Sequence, residues 1–322
     1  RSSDLTALSP DQARAVSAIG MSPWLVNPLS APAGAGKTHS LQALRAAAHR
    51  VHKEVLVLAP TGTAVDQALA DGAGDHGMTL DKALHQLDSG ALQLDQRTVV
   101  VVDEASMVAT PKLRQLLETT TAARAKAVLV GDPYQLAPVK ARGGMFDQLC
   151  TELPWAQRLS QVWRMRDPAE RDASLAIRNG RGNRLRRAVG WYRNHDRLHT
   201  GDQVSMAAAA LRAYLDDRAA GKSTLLVCDT WDIADALNQR LHDTLTTEGP
   251  AAQVARDQTV RVGDIIVSRD NDPTITVHRG PHHAEGQAVD QVRNGNRWRV
   301  AGVDETTNRV AAERLTDKAR VL

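Results

Sequence analysis

Three short runs with an apolar centre, which alternate with helical patterns, constrain the fold of the first half of this chain more than any other feature. The runs are VLVLAP (Val55–Pro60), TVVVVDEA (Thr98–Ala105) and AKAVLVGDP (Ala125–Pro133). A run without polar alternation is typical of a strand covered on both faces, and strands that alternate with helices build parallel sheets. The sequence therefore predicts an α/β domain with a parallel sheet and helices on both of its faces.

The second half of the chain changes its pattern at about Val260. Before that point, a helix over Val204–Ala219, a strand over STLLVCDT (Ser223–Thr230) and a helix over Asp232–Leu245 predict a second α/β unit. After it, alternating strands are separated by turn residues such as Asn294-Gly295. The final segment is therefore predicted to be a small antiparallel β unit.

Composition excludes several classes of protein. The net charge of +3 and pI of about 9.0 are compatible with nucleic acid but do not identify it as a partner. Cys150 and Cys228 lie far apart without a CxxC spacing, which speaks against a zinc site or a disulfide scaffold and favours the cytoplasm. No apolar run approaches the roughly 20 residues of a membrane helix. Because the chain begins Arg1-Ser2-Ser3 without Met, we expect it to be part of a longer protein.

A glycine-rich loop, APAGAGKT, follows the first predicted strand, Trp24–Leu29. Small residues let backbone N–H groups turn around a phosphate, a lysine can reach phosphate oxygens, and a threonine hydroxyl suits Mg²⁺. Alanine stands where the Walker A pattern begins with glycine, so the match fails at one position, and a plain Gly-rich turn is the alternative. We expect ATP and Mg²⁺ here. The residues predicted to hold the nucleotide are Ala33, Gly34, Ala35, Gly36, Lys37 and Thr38, with Lys37 also catalytic and Thr38 also a metal ligand.

Acidic and amide side chains follow the next two apolar runs. Asp103 and Glu104 come at the end of VVVV, where ligands bind in an open parallel sheet. Asp103 is predicted to hold Mg²⁺ and Glu104 to act as the general base on an attacking water. Asp132 and Gln135, in GDPYQ, are predicted near the γ-phosphate or its water. The alternatives are an exposed acid pair and a plain turn.

Five segments in order resemble the helicase motif series of superfamily 1. They are LSPDQARAV, APAGAGKT, APTGTA, VVVVDEAS and VLVGDPYQLAPV. The resemblance is nearest to the RecD-like branch, and within it to the helicase region of TraA, TrwC and TraI-type conjugative relaxases. It covers residues 5–170 strongly and the remainder weakly. It implies a P-loop, RecA-like domain over 1–155, a second, incomplete RecA-like α/β domain over 156–257 and a small SH3-like β insertion over 258–322.

The resemblance assigns further nucleotide contacts. Gln12 matches the glutamine that contacts adenine, and Gln135 matches the motif III glutamine. The segment LSQVWRMRDP resembles motif IV, which makes Arg164 the candidate arginine finger, supplied from a second domain when the cleft closes. The alternative is a surface arginine among several, since other arginines lie close by in the sequence.

DNA contacts are also implied by the resemblance. Thr61, Gly62 and Thr63 match a segment that binds the backbone of single-stranded DNA. His85 is a second candidate contact, with an ordinary helix-surface histidine as the alternative. Trp155 and Trp163 could stack on bases, although a tryptophan more often packs in a core.

Taken together, the resemblance implies an ATP-dependent DNA helicase or translocase segment. ATP and Mg²⁺ are its implied cofactors, and single-stranded DNA and a covalently linked relaxase domain are its implied partners. Motifs V and VI are not found before Leu322, so we expect hydrolysis and translocation to be impaired in this segment alone. A non-catalytic DNA-binding remnant is the second hypothesis. A P-loop kinase or signalling ATPase is the third, and it fits the Gly-rich loop but not GDPYQLAPV.

Overall fold

The apolar runs of the first half form one parallel sheet, as the sequence predicts. The computed structural model describes residues 8–138, 141–245, 249–278 and 291–322, which divide into two units, Arg1–His195 and Asp196–Leu322. The sheet lies in the first unit, in the order β3-β2-β4-β5-β1-β6. Its strands are β1 (Val26–Ser30), β2 (Glu54–Ala59), β3 (His76–Thr79), β4 (Thr98–Val102), β5 (Lys126–Gly131) and β6 (Gln157–Arg158).

Helices cover both faces of this sheet. They are α1 (Pro10–Met21), α2 (Lys37–Arg50), α3 (Gly62–Ala70), α4 (Leu80–Asp88), α5 (Thr110–Ala122), α6 (Met145–Glu152), α7 (Pro168–Asn179) and α8 (Gly182–Asn194). Alternate residues of one strand enter different cores: Val101 of β4 packs with the core under α1 to α3, and Val100 with the core under α4 to α6. Both valines are fully buried, which explains why the strands are apolar throughout.

All strands of the sheet run in parallel, so their carboxyl ends meet at one edge. Ser30 at the end of β1 is opposite Gly131 at the end of β5, and Leu58 in β2 is opposite Val102 at the end of β4. The loops that follow β1, β2, β4 and β5 therefore emerge side by side. This edge is where an open α/β sheet binds its ligands.

Residues 156–195 belong to the first unit and not to the second. Helices α7 and α8 pack against each other through Ala173, Ala176 and Ala188, with Trp191 and Tyr192 against this cluster. The domain bounds predicted from the sequence, at 155/156 and 257/258, stay a prediction.

The second unit begins with two helices, α9 (Gln203–Ala219) and α10 (Trp231–Leu245). Between them, no strand forms over Ser223–Thr230, contrary to the sequence prediction. A strand needs a neighbour for its backbone groups, and no described residue pairs with this run. Leu225 and Val227 are consequently about three-quarters exposed, at 76% and 77%.

The predicted small antiparallel β unit is confirmed at the end of the chain. Trp298 is buried on one side of its four-stranded sheet, in a core with Val277, Val292 and Ala312. The strands of the unit are β7 (Ala251–Val254), β8 (Gln258–Arg261), β9 (Ile265–Val267), β10 (Asp272–Thr276), β11 (Gln291–Val292), β12 (Arg297–Asp304), β13 (Arg309–Arg314) and β14 (Arg320–Val321).

Candidate nucleotide-binding site

The glycine-rich loop joins β1 to α2 at the carboxyl edge of the sheet. Ala31, which replaces the first Walker A glycine, is fully buried, and its N–H donates to the carbonyl of Gly131 at 2.8 Å. Ala31 thus continues the strand, where a methyl group is accommodated. Gly34 and Gly36 have φ of +78° and +79°, which only glycine adopts without strain. Gly36 is the N-cap of α2, so the first free N–H groups of that helix lie at the loop, where they can bind an anion.

Gln12 supports this loop from α1. Its side chain is buried, and its Nε2 donates to the carbonyl of Ala35 at 3.0 Å and to that of Gly36 at 3.4 Å. Its Oε1 accepts from the N–H of Ser9 at 3.0 Å. Both ends of the amide are therefore engaged within the protein. The predicted contact with adenine is not tested by this geometry and stays a prediction.

Lys37 reaches across from α2 to the end of β4. Its Nζ lies 2.7 Å from Oε1 of Glu104, and the two side chains are 16% and 28% exposed. The N–H of Glu104 donates to Oδ1 of Asp103 at 2.9 Å. The structure therefore brings together the lysine and both acids that the sequence places 66 and 67 positions apart in chain order. These three side chains and the loop glycines define the site.

The two acids are held in unusual environments. Burial raises the pKa of Asp103, Glu104 adds to the rise, and Lys37 opposes it. Glu104 has φ 51° and ψ 42°, a left-handed conformation that costs on the order of 1 kcal/mol for a residue other than glycine. Its Oε2 is buried and has no hydrogen-bond partner among the described residues. Strain and an unsatisfied carboxylate oxygen are features of a site shaped for a ligand.

The residues present fit a magnesium–nucleotide complex. Mg²⁺ prefers oxygen ligands, and oxygen donors of this kind are Thr38 in the first turn of α2, the carboxylate of Asp103 and the unpartnered oxygen of Glu104. Gly36 is also required by packing, since a Cβ at this position would lie 2.1 Å from Nε2 of Gln12. The assignment of Thr38 and Asp103 as metal ligands remains a prediction.

Arg164 lies beside the loop and within the first unit, in contrast to the expectation of a finger from another domain. The N–H of Trp163 donates to the carbonyl of Gly34 at 2.7 Å, and a Cβ built at Gly34 would lie 2.6 Å from Cβ of Arg164. Both side chains are exposed, Trp163 at 55%. Arg164 is therefore close enough to the loop for a role at the nucleotide, which stays a prediction.

Asp11, which the sequence did not single out, holds this segment in place. Its Oδ2 accepts from the N–H groups of Ser160 at 2.9 Å and Gln161 at 3.1 Å, and its Oδ1 accepts from Ser9 Oγ and the N–H of Gln12. Burial raises its pKa, but these hydrogen bonds outweigh burial and lower the pKa to about 2. The chain just before Trp163 is thereby tied to α1.

The carboxylate of Asp132 is paired with Arg178 of α7, and its predicted place near the γ-phosphate or its water stays a prediction. Nε of Arg178 lies 3.0 Å from both carboxylate oxygens and Nη2 lies 2.5 Å from Oδ1, while Asp132 is only 2% exposed. Arg178 also stacks on the ring of Tyr134 at 4.3 Å. Asp132 thus attaches α7 to the sheet. Gln135 is exposed after β5, and its predicted contact with phosphate or water stays a prediction.

The predicted DNA contacts lie just after the carboxyl end of β2 and on α4. Thr61 caps α3, with its Oγ1 accepting from the N–H of Ala64 at 3.2 Å. Thr61, Thr63 and His85 are exposed, and Gly62 is half-buried. Trp155 has a structural role instead of stacking on bases, since it stacks on Trp24 at 4.5 Å and its Nε1 donates to the carbonyl of Val26. The DNA assignments stay predictions.

Comparisons with known proteins agree with this geometry. A family model described as an AAA domain matches residues 7–203, which is more than half of the chain. A second model, described as an Rv2311 SH3-like barrel domain, matches residues 252–322. In the described residues, no helix is both long and apolar enough to cross a bilayer.

Two curated relatives are conjugal transfer proteins. The chain is 33% identical over 269 residues to the probable conjugal transfer protein TraA of Sinorhizobium fredii, covering 81% of this chain and 24% of that protein. It is 31% identical over 296 residues to the conjugal transfer protein TraA of Agrobacterium fabrum, covering 89% of this chain and 26% of that protein. The chain therefore spans about a quarter of the length of these relatives.

A solved structure also overlaps part of the fold. The crystal structure of the Pyrococcus furiosus Hef helicase domain covers 42% of this chain and 34% of its own, with 14% identity and a TM-score of 0.32. That overlap is too weak to say anything of function. On the family match and the TraA identities, this chain belongs to the AAA_30 family of AAA domains, a RecD-like helicase family, and is similar to the helicase region of TraA-type conjugal transfer proteins.

Proposed function

We propose that this chain is an ATP-dependent DNA helicase or translocase segment that acts on single-stranded DNA within a larger conjugative relaxase-helicase. The observation that carries the proposal is the meeting of Lys37 with Glu104 and Asp103 at the carboxyl end of β4. A glycine-rich loop capped onto a helix lies directly beside these side chains. The family and the TraA relatives support the same class of activity.

The nucleotide phosphates would lie in the loop formed by residues 33–38. Backbone N–H groups at the start of α2 and the ammonium group of Lys37 would bind the phosphate oxygens. A phosphate oxygen would replace Glu104 as the partner of Lys37, and this exchange would free the carboxylate of Glu104 to accept a proton from water. Mg²⁺, held through Thr38 and Asp103, would neutralise charge on the transferred phosphoryl group.

Three further side chains complete the proposed site. Arg164 lies over Gly34, where a guanidinium group can reach charge that develops on the γ-phosphate. Trp163, half-exposed beside Gly36, offers a flat apolar surface to the base of the nucleotide. Gln135 extends from the end of β5 at the same edge and would orient the attacking water.

The DNA strand would run along the same edge, over the loop after β2. Thr61 and Thr63 offer exposed hydroxyl groups, and the free N–H groups at the start of α3 favour a phosphate. His85 would add a contact from α4. Contacts of this kind bind the sugar–phosphate backbone and carry no base specificity.

A non-catalytic remnant that binds nucleotide and DNA is the second candidate. It is favoured by the second unit, where no described strand between Asp196 and Leu322 pairs in parallel with another. The described residues of this unit therefore offer no second parallel sheet that could move against the first. The remnant would bind ATP at the same loop but would not hydrolyse it.

Phosphate release measured on this chain, with and without single-stranded DNA, tests the proposal. We expect a low turnover that rises with DNA and that is lost in Lys37→Ala and in Glu104→Gln, while Glu104→Gln retains nucleotide binding. Unchanged turnover in Lys37→Ala would refute the motor function. Nucleotide binding without any phosphate release, in the presence of DNA, would favour the remnant.

A further inference from the structure

Helix α8 carries a concentration of positive charge that the proposed site does not use. Between Ala173 and His195 the sequence has six arginines and no aspartate or glutamate, although the whole chain has a net charge of only +3. One of the six, Arg178, is paired with Asp132. The others are exposed: Arg181, Arg184, Arg186, Arg187 and Arg193.

Three of the four arginines of α8 lie away from its inner face by helical spacing. Ala188 is buried against α7, which fixes the inner face of the helix. Arg186 and Arg193 lie seven residues apart, so they share one face about 10 Å apart along the axis. Arg187 is offset by 100° from the buried position and flanks this face. We call the surface formed by Arg186, Arg187 and Arg193 the α8 basic face.

Nothing in the described residues neutralises the α8 basic face. No carboxylate in the described part of the chain lies within ion-pair distance of its three guanidinium groups. The other residues on this side of the helix are Gly182, Asn183, Gly190 and Asn194, and the half-buried Val189 lies at its margin. A face with so little exposed apolar surface is unsuited to insertion into a membrane or to the apolar centre of a protein interface. Arginine and asparagine side chains are suited to a phosphate backbone.

The Arg178–Asp132 pair sets the location of this face. Asp132 follows β5 at the carboxyl edge of the sheet, and its bidentate contact with Arg178 fixes the last turn of α7 there. Helix α8 begins three residues after α7 ends, at Gly182. The basic helix is thus attached to the edge along which we place the DNA strand.

We propose that the α8 basic face is a second contact for the phosphate backbone of single-stranded DNA. This inference rests on the proposed function, because the DNA strand would reach α8 from the carboxyl edge of the sheet. Arg186, Arg187 and Arg193 bind phosphates without reading bases, and they extend the DNA path beyond Thr61–Thr63. Their contribution to affinity is electrostatic and depends on salt.

The test is the salt dependence of binding of a fluorescein-labelled oligothymidylate to the chain. Each phosphate contact to a single strand contributes about 0.7 to the slope of log affinity against log salt. We expect the variant Arg186→Gln/Arg187→Gln/Arg193→Gln to lower that slope by about 2, and Arg193→Gln alone to lower it by about 0.7. The matched control is Arg14→Gln/Arg97→Gln/Arg114→Gln, which removes the same charge from exposed arginines elsewhere in the first unit.

The outcomes separate this inference from the proposed function. The inference would be overturned by a wild-type slope in the triple variant or by an equal loss of slope in the control. It would also be overturned if the triple variant lost affinity for duplex DNA but not for single-stranded DNA. Binding of a fluorescent ATP analogue should be unchanged in the triple variant, which shows that it is folded. If this chain bound no ATP while the triple variant still lost DNA affinity, the ATPase function would fail and the DNA contact would stand.

Discussion

Two ion pairs lie at the carboxyl edge of the same sheet and differ in how completely they are satisfied. At the end of β4, Lys37 touches one oxygen of Glu104 at 2.7 Å, and the other oxygen has no partner among the described residues. At the end of β5, Arg178 binds both oxygens of Asp132 and also stacks on Tyr134. The first pair is 16% and 28% exposed, and in the second the aspartate is 2% exposed.

This difference separates side chains that are available to bind a ligand from side chains that stabilise the fold around the site. We call the second group the frame. The carboxylates of the frame are fully hydrogen-bonded, and hydrogen bonds lower the pKa of Asp11 and Asp75 to about 2 against the effect of burial. At the site, burial raises the pKa of Asp103 instead. A carboxylate with a raised pKa is poorly stabilised until a cation approaches it. An incompletely satisfied pair is therefore a better indicator of the site than an ion pair as such.

The largest expected effect comes from breaking the satisfied pair. Arg178→Met leaves Asp132 buried without a counter-charge, and we expect a loss of about 3–5 kcal/mol in the free energy of unfolding. Asp132→Asn/Arg178→Met removes both charges and should recover part of that loss. Urea denaturation of the two variants and the wild type measures the difference. A loss below about 1 kcal/mol in the single variant would show that the pair does not hold the frame.

The contrast between these pairs also explains what could be predicted from the sequence. The strands and the Lys37, Asp103 and Glu104 positions were predictable because apolar runs and a glycine loop are local signals. Arg178 was not, since it contacts Asp132 from 46 positions away and a helix arginine carries no local mark. The strand predicted at Ser223–Thr230 failed for the same reason, because pairing depends on a neighbour that sequence alone does not supply.

Asp11 is the frame residue that acts most directly on the site, and we expect its substitution to cause the second-largest loss of stability. Asp11→Asn turns an acceptor of the N–H groups of Ser160 and Gln161 into a neutral amide. We expect a loss of about 1.5–3 kcal/mol in stability, together with weaker nucleotide binding as Trp163 and Arg164 lose their position. Asp81→Asn, at an exposed pair with Lys112, is the control. Equal effects of the two substitutions would contradict the positioning role.

Acid should weaken the frame through Asp75, whose carboxylate joins Arg45 and His49 of α2 to the N–H of Val55 in β2. The pKa of Asp75 in the folded protein is about 2, below its ordinary value of 3.8. Its contribution to the free energy of unfolding is therefore fully present above pH 3.8 and is lost as the pH falls toward 2. We expect this contribution to be about 1–2 kcal/mol. Unfolding free energies of the wild type and Asp75→Asn should converge as pH falls. A constant gap between them at all pH values would contradict this assignment.

The smallest expected change in stability comes from the incomplete pair itself. Lys37→Met removes one contact at a partly exposed site, and such pairs contribute about 1 kcal/mol or less. The same substitution should abolish stabilisation by ATP, which reaches about 2.7 kcal/mol at a nucleotide concentration 100 times Kd. Thermal unfolding with and without ATP and Mg²⁺ measures both effects in one experiment. A large loss of stability without nucleotide would mean that Lys37 and Glu104 belong to the frame, and the distinction between the two pairs would no longer hold.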